Sequence, residues 1–199
     1  EQVQNILKHY NAHPIVIDPV GVSGSSYRRE KCLELMKIIH PTCIRGNYSE
    51  IQALLHNCGT VTGVDAAEDA LAEAEETDLP ELMKQYAKEN QMILVASGET
   101  DLVTEGSCVY RCHNGSPMMA RITGSGCMST VMLGAFLSAE NSVESAVACC
   151  AFTGIAGELA AKETTAQKRG TMTFRNGFID AVSLMTPEQL EHGTDVDWF

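Results

Sequence analysis

Short apolar runs alternate with segments of helical periodicity through the first half of the chain. The run at 15–17 lies between two prolines and ends where Asp18 emerges, which is typical of a buried strand. Runs of the same kind at 42–44 and 92–96 also end in polar turns. Helical spacing of apolar residues predicts helices at 3–12, 33–39 and 51–55, and an acidic helix from about 66 to 89 with a break near Pro80.

The second half of the chain starts with strand-like patterns and ends with helical ones. Three strands are predicted, at 102–104, 107–112 and 118–122. The pair Asn114-Gly115 before the last of them is a strong hairpin signal. The glycine-rich turn 123–126 then leads into a helical pattern from Cys127 to about Ala139, and two more helices are predicted at 143–162 and 171–185.

The order of these elements indicates the fold class. Strands that alternate with helices favour parallel pairing through right-handed crossovers, so we expect an α/β fold with helices on both faces of the sheet. No linker or repeat interrupts the pattern, and a single domain over 1–199 accounts for it. Sites in such folds lie at the carboxyl ends of the strands. The candidates are therefore the residues just past each strand: Asp18, 45–50, 97–99 and 123–127.

Composition and charge exclude some classes of function. The chain has 14 Lys and Arg and 26 Asp and Glu, which gives a formal charge of −12. This charge argues against nucleic-acid binding, because a polyphosphate backbone needs many basic contacts. The apolar stretches fall short of the ~20 residues that span a bilayer, so no membrane segment is expected. The eight cysteines are scattered and no secretory leader is visible, so we expect reduced thiols in a cytoplasmic protein.

The most specific chemical feature is the turn Thr123-Gly124-Ser125-Gly126-Cys127 ahead of a long apolar helix. Such a turn leaves the first helical amides pointing outward at the positive end of the helix dipole, where they can stabilise a phosphoryl group in transfer. The alternative is a tight turn in which glycine serves only the backbone shape. The spacing fits neither a Walker A loop nor a dinucleotide fingerprint.

A second feature supplies acidic oxygens near the predicted strand ends. Glu50 follows Asn47 by three residues, and Asp18 follows the first strand. Mg²⁺ usually takes one or two carboxylates together with water and phosphate oxygens, and Glu50 and Asp18 fit that role. The alternative for Glu50 is a capping box, with Asn47 as the N-cap of the following helix.

Five motifs together resemble one known family. They are Asp18-Pro19-Val20, the run Ile44 to Glu50, Gly63-Val64-Asp65, Ser97-Gly98-Glu99 through Gly106, and Thr123 to Cys127. In this order they resemble the hydroxyethylthiazole kinases, from about 14 to about 185. The resemblance implies the ribokinase-like fold, three α/β/α layers around a mainly parallel sheet. It also implies that about a further third of a chain precedes this segment.

The resemblance assigns a role to each nucleotide-side and metal-side residue. Arg45 matches an arginine that contacts ATP, where its guanidinium donates to phosphate. Ser97 stands where the family usually has a threonine that touches ATP, and the hydroxyl is retained. Asp18 and Glu50 match acids near Mg²⁺ and the triphosphate.

On the alcohol side, the resemblance places Gly124 and Cys127 at the substrate and the amides of Gly124, Ser125 and Gly126 in the anion hole. Ribokinase-like enzymes commonly carry an aspartate base at the position of Cys127. A thiol at a helix N-terminus has its thiolate favoured and could accept the hydroxyl proton. The alternative is that Cys127 only packs beside the alcohol, because phosphoryl transfer needs little help from a base.

The function that we predict is ATP- and Mg²⁺-dependent phosphorylation of the primary alcohol of 5-(2-hydroxyethyl)-4-methylthiazole in thiamine salvage, by a homotrimer. One alternative is a nucleotide-binding remnant without catalysis. Others are a ribokinase-like kinase for pyridoxal or hydroxymethylpyrimidine, and an ATP-dependent hydrate dehydratase, which an Asp in place of Cys127 would favour. The prediction requires the amides of 124–127 to share a cleft with Arg45 and Glu50.

Overall fold

The computed structural model of the chain describes residue 5 and residues 13–56 and 79–199. The predicted helix at 3–12 (Asn5 apart), the turn at 63–65 and the acidic helix before Leu79 lie outside the described residues. The chain divides into two compact units, Glu1–Ala96 with Thr104–Val109 and Ser97–Val103 with Tyr110–Phe199. The single domain over 1–199 stays a prediction.

The first unit alternates strands and helices as the apolar pattern predicts. Its elements are β1 (Val16–Ile17), α1 (Ser26–Ile39), β2 (Cys43–Asn47), α2 (Tyr48–His56), α3 (Leu79–Asn90) and β3 (Ile93–Ser97), with Ser97 assigned to the second unit. The strands lie in the order β1-β2-β3, and β1 pairs with β2 in parallel, Val16 opposite Cys43 and Ile17 opposite Ile44. The parallel pairing predicted for this half is confirmed, and it brings the carboxyl ends of β1 and β2 to one edge.

Local sequence explains where the helices of the first unit begin and end. The Ser25 side chain accepts a hydrogen bond from Arg28 N at the start of α1, and His40 ends the helix in the left-handed conformation, directly before Pro41. Pro80 lies in the first turn of α3, where a missing N–H costs nothing. The buried faces of α2 and α3, including Ile51, Leu54 and Met83, form the core of this unit with Ile44 and Leu94.

The second unit is mainly helical. Its elements are β4 (Asp101–Thr104), β5 (Val109–Cys112), a 3-10 helix (Pro117–Arg121), α4 (Ser125–Ala139), α5 (Val143–Ala166), α6 (Thr171–Leu184), α7 (Pro187–Gly193) and β6 (Val196–Trp198), with Thr104 and Val109 assigned to the first unit. Strand β6 pairs antiparallel with β5. The core contains Phe174, Phe178 and Ile122 packed against Ala156 and Ala160.

Two predictions between β5 and α4 are wrong. The segment predicted as a strand at 118–122 is a 3-10 helix, because Pro117 opens it and the Ser116 hydroxyl caps it by accepting from Met118 N. The hairpin predicted at Asn114-Gly115 is absent from the described structure, since β5 pairs instead with β6. Helix α7 and strand β6 carried no signal that we recognised in the sequence.

Helix α5 is the one described helix long and apolar enough to cross a membrane by length and composition. Most of its apolar window is buried inside the protein, as in the core helix of a globular fold. The helix itself is longer than the sequence pattern predicted, because it continues past Lys162 to Ala166.

Candidate active site

One group of candidate residues lies at the carboxyl ends of β1 and β2. Asp18 follows β1 directly, and Arg45 lies within β2. The Arg45 Nη1 is 3.9 Å from the Asp18 Oδ2, and the two side chains are only 13% and 16% exposed. Limited solvent makes such a pair stronger than one at the surface. The structure therefore brings together two of the residues that the sequence analysis selected.

Glu50 forms the capping box that its spacing from Asn47 allows. The Asn47 Oδ1 accepts from Glu50 N at 2.9 Å, and the Glu50 Oε2 accepts from Asn47 N at 3.0 Å. These two bonds satisfy donors that the start of α2 would otherwise leave unpaired. One oxygen of the Glu50 carboxylate thus stabilises the start of α2.

The other oxygen of Glu50 holds the loop that follows β1. The Glu50 Oε1 accepts from Gly21 N at 2.8 Å, and Gly21 adopts a φ of 74° that favours glycine. A Cβ on Gly46 would lie 3.2 Å from both Pro19 Cγ and Glu50 Cβ, so the loop approaches β2 closely. The sequence analysis did not select Gly21; a glycine shortly after Asp18-Pro19 was the available signal.

The carboxylate oxygens of Asp18 and Glu50 are of the kind that Mg²⁺ takes as ligands. An ionised carboxylate has about four acceptor positions, and the bonds from Asn47 and Gly21 occupy two of those on Glu50. No group of three or more His, Cys, Asp or Glu side chains is placed to hold a metal in the part of the chain that the structure describes. Mg²⁺ needs no such group, because it keeps several waters and takes phosphate oxygens.

Ser97 and the turn after it belong to the second unit. Ser97 is the last residue of β3 and is half-buried. The turn that follows is closed by a hydrogen bond from Gly98 N to the Asp101 Oδ1 at 3.0 Å. Asp101 is thus the residue that shapes this turn, and the sequence analysis did not single it out.

The glycine-rich turn opens α4 as the sequence analysis expected. Gly124 is the N-cap with a φ of 97°, and as a glycine it has no side chain with which to cap the helix. A Cβ on Gly124 would meet no described atom within 4 Å, so the space beside the turn is open. The helix begins at Ser125 rather than Cys127, and its first turn therefore contains Ser125, Gly126 and Cys127.

Cys127 lies in this first turn with its side chain exposed. An exposed side chain in the first turn of this helix is accessible to a small molecule. That arrangement is compatible with both roles considered for Cys127. The common cleft of this turn with Arg45 and Glu50 stays a prediction.

Comparison with solved structures defines the class of the fold. The hydroxyethylthiazole kinase protein from Pyrococcus horikoshii OT3 matches with a TM-score of 0.79 and 25% identity, over 100% of this chain and 70% of that one. The Staphylococcus aureus pyridoxal kinase in complex with AMP-PCP matches in fold, with a TM-score of 0.51 and 18% identity over 76% of this chain and 55% of that one. The predicted ribokinase-like α/β fold is confirmed.

Sequence relatives identify the family within this class. The model of the hydroxyethylthiazole kinase family matches residues 2–188. Hydroxyethylthiazole kinase 1 of Methanosphaera stadtmanae is 37% identical over 195 residues, 92% of this chain and 68% of the relative. Hydroxyethylthiazole kinase of Staphylococcus carnosus is 36% identical over 171 residues, 85% of this chain and 61% of the relative. The chain belongs to the hydroxyethylthiazole kinase family and spans about two thirds of the length of these relatives.

Proposed function

We propose that the protein transfers the γ-phosphoryl group of ATP to the primary alcohol of 5-(2-hydroxyethyl)-4-methylthiazole. The observation that carries this proposal is the open turn at the start of α4, where the N-cap Gly124 adopts a φ of 97° and a Cβ added to it would meet no described atom within 4 Å. Membership of the hydroxyethylthiazole kinase family supplies the substrate class. The relatives from Methanosphaera and Staphylococcus carry the same name.

On the nucleotide side, we assign Arg45 and Ser97 to ATP, with Asp18 close to the triphosphate. The Arg45 guanidinium donates to phosphate oxygens in charge-assisted hydrogen bonds, and the pairing with Asp18 holds it in place. Asp18 and Glu50 would hold Mg²⁺, which neutralises charge on the phosphates when it is bound. Glu50 in addition keeps the Gly21 loop against α2.

On the alcohol side, the outward amides of the Gly124 turn stabilise the negative charge that develops on the transferred group. Cys127 lies one residue beyond Gly126, where it either accepts the hydroxyl proton or packs against the alcohol. A base contributes about a hundredfold or more to the rate, so the first role predicts at least that loss of kcat in Cys127→Ala, while the packing role predicts a smaller one; kcat of Cys127→Ala against the parent protein distinguishes them.

The proposal includes ATP and Mg²⁺ as cofactors, a homotrimer and a cytoplasmic location. The free thiols of Cys108, Cys112 and Cys127 support a reducing compartment. Val131 on α4 and Met172 and Leu184 on α6 are exposed, and they supply apolar surface that subunit contacts would cover.

Coupled ADP release tests the proposal, with the thiazole alcohol, pyridoxal and hydroxymethylpyrimidine supplied side by side together with MgATP. We expect turnover of the thiazole alcohol at a kcat/KM above that of the other two alcohols. Turnover of another alcohol alone would assign the protein a different substrate. Binding of ATP without turnover of any alcohol would show a nucleotide-binding protein that does not catalyse.

A further inference from the structure

The segment that joins β5 to the Gly124 turn is held by helix α5, within the second unit. Two glycines of α5 lie where this segment crosses the helix. A Cβ on Gly154 would collide with the backbone and Cβ of Asn114, and a Cβ on Gly157 would collide with the Met119 thioether. The missing side chains therefore let residues 114 to 119 approach the helix backbone closely.

Asn114 fixes the beginning of this segment with its side chain. It is buried, and its Nδ2 donates to the Gly193 carbonyl at 2.8 Å and to the Glu158 Oε1 at 3.2 Å. Its Oδ1 accepts from Asp195 N at 2.8 Å. Because a buried amide without partners is costly, these bonds specify a single position for the backbone at Asn114.

Glu158 makes the second connection between α5 and the segment. Its Oε1 accepts from Gly115 N at 2.8 Å in addition to the bond from Asn114. Hydrogen bonds to an ionised carboxylate are about twice as strong as bonds between neutral groups. Glu158 is otherwise exposed, so its removal opens no cavity in the core.

Ser125 connects this segment to the start of α4. Its hydroxyl donates to the Met119 carbonyl at 3.0 Å, which joins the first residue of α4 to the 3-10 helix. The Met119 side chain in turn lies against Gly157. A continuous path of contacts thus runs from Glu158 through Asn114 and Met119 to the turn that contains Gly124.

We propose that Asn114 and Glu158 are positioning residues for the Gly124 turn, acting through the 3-10 helix and the Ser125 hydroxyl. This inference rests on the proposed phosphoryl transfer, since the turn is its anion hole. Donors that stabilise developing charge must be held within a fraction of an ångström, and a misplacement of 1 Å can cost about a hundredfold in rate.

Three variants test this role: Glu158→Ala, Glu158→Gln and, as a matched control on the same helix, Glu163→Ala. Glu163 is exposed, and its Oε1 accepts from Gln167 Nε2 at 2.9 Å, far along α5 from Asn114. The Gln variant keeps an oxygen that accepts from Gly115 N and Asn114 Nδ2. The readouts are kcat and KM for ATP, the thermal midpoint, and amide hydrogen exchange of peptides covering 113–130.

We expect Glu158→Ala to lower kcat by about tenfold, with KM for ATP within about twofold of the parent value. Amide exchange in 116–130 should rise in Glu158→Ala, while Glu158→Gln and Glu163→Ala stay close to the parent protein. Ser125→Ala should lower kcat in the same way without raising exchange at 114–115, because it breaks only the last contact of the path.

Two results would overturn the inference. One is a Glu158→Ala variant with parental kcat and parental exchange. The other is a loss of activity that follows the fall in thermal midpoint and the fraction of folded enzyme, which is what a merely structural role produces. If the parent protein phosphorylates no alcohol, the proposed function fails by itself, and hydrogen exchange then decides whether Glu158 orders the turn.

Discussion

Glu50 combines two structural contacts in one side chain, and both involve backbone amides. One oxygen completes the cap of α2 at Asn47, and the other holds Gly21. These two hydrogen bonds fix the orientation of the Glu50 carboxylate in the absence of any ligand. Glu50 is therefore preorganised before any cation or phosphate arrives, which is how binding avoids part of the entropy cost of ordering.

Replacement of Glu50 should separate its structural role from the metal-binding role that we propose for it. Glu50→Gln keeps one acceptor oxygen and loses the second acceptor and the charge, so we expect a loss of about 1–2 kcal/mol in the free energy of unfolding. Urea denaturation measures this loss. The Mg²⁺ concentration for half-maximal activity should rise as well; an unchanged Mg²⁺ dependence would show that Glu50 only holds the loop.

Asp197 provides a pH-dependent contact near the end of the described chain. The hydrogen bond from Arg111 Nε, at 2.5 Å, and a further bond from His113 lower the pKa of Asp197 below its ordinary value of 3.8. A lowered pKa means that the contact stabilises β6 above the unfolded pKa and that this contribution is lost as pH falls through the folded pKa.

Trp198 reports this titration because it is the single tryptophan in the chain and lies next to Asp197. Its ring is 6.4 Å from that of Tyr110 on β5. We expect the Trp198 fluorescence to change as pH falls below about 4, and Asp197→Asn to remove this change. Glu191→Gln, on the exposed surface of α7, is the control that should leave the transition in place. A transition that persists in Asp197→Asn would contradict the assignment.

The start of α4 shows how a short turn sets the position of a helix. Gly124 takes a positive φ, so the chain enters the helix at Ser125. The helical periodicity in the sequence becomes clear only at Cys127, because Gly126 and Ser125 carry no apolar signal. The prediction of the helix was thus confirmed while its first turn, the part to which we assign the anion hole, was placed two residues late.

Gly124→Ala should impair activity more than stability. An alanine at a positive φ costs about 1–2 kcal/mol, and relief of that strain rotates the first amides of α4. We expect kcat to fall at least about tenfold with a small loss in thermal midpoint.

Gly170→Ala is the matched control for this variant. Gly170 is also an N-cap with open space around it, but its φ is −106°, which alanine adopts without strain. The control should keep the parental kcat. Equal effects of the two variants would show that the conformation of Gly124 is not what the reaction requires.

The molecule as a whole places its candidate residues on two compact units, with Arg45 in one and Cys127 in the other. Binding of a nucleotide to the folded protein stabilises it by mass action, at about 2.7 kcal/mol when the ligand is at a hundred times its Kd. The increase in the free energy of unfolding on addition of a nucleotide therefore measures its binding, whether or not a phosphoryl group is transferred.

Thermal unfolding with Mg²⁺ and the non-hydrolysable nucleotide AMP-PCP should test the role of Arg45. We expect AMP-PCP with Mg²⁺ to raise the midpoint relative to Mg²⁺ alone, and Arg45→Lys to reduce that rise. Lysine keeps the charge beside Asp18 but loses the planar fork that matches phosphate oxygens. A shift of equal size in both proteins would place the triphosphate away from Arg45.

The sequence by itself determined the order of most regular elements up to α6 and the residue types offered at the strand ends. Periodicity identified β2, β3 and α5, since each buries apolar residues at the spacing of its own structure. The rule that sites lie at the carboxyl ends of strands selected Asp18 and Arg45, and the structure brings these two side chains within 3.9 Å of each other. These features depend on local pattern and on topology.

Tertiary structure alone decided which long-range partners the polar side chains take. Asn114-Gly115 has the composition of a hairpin, but Asn114 bonds to Gly193, Asp195 and Glu158, residues 44 to 81 positions away. The partner of β5 is likewise a strand more than 80 residues later in the chain. No local periodicity encodes such contacts, because they form only when distant elements pack and leave a buried polar group that must be satisfied.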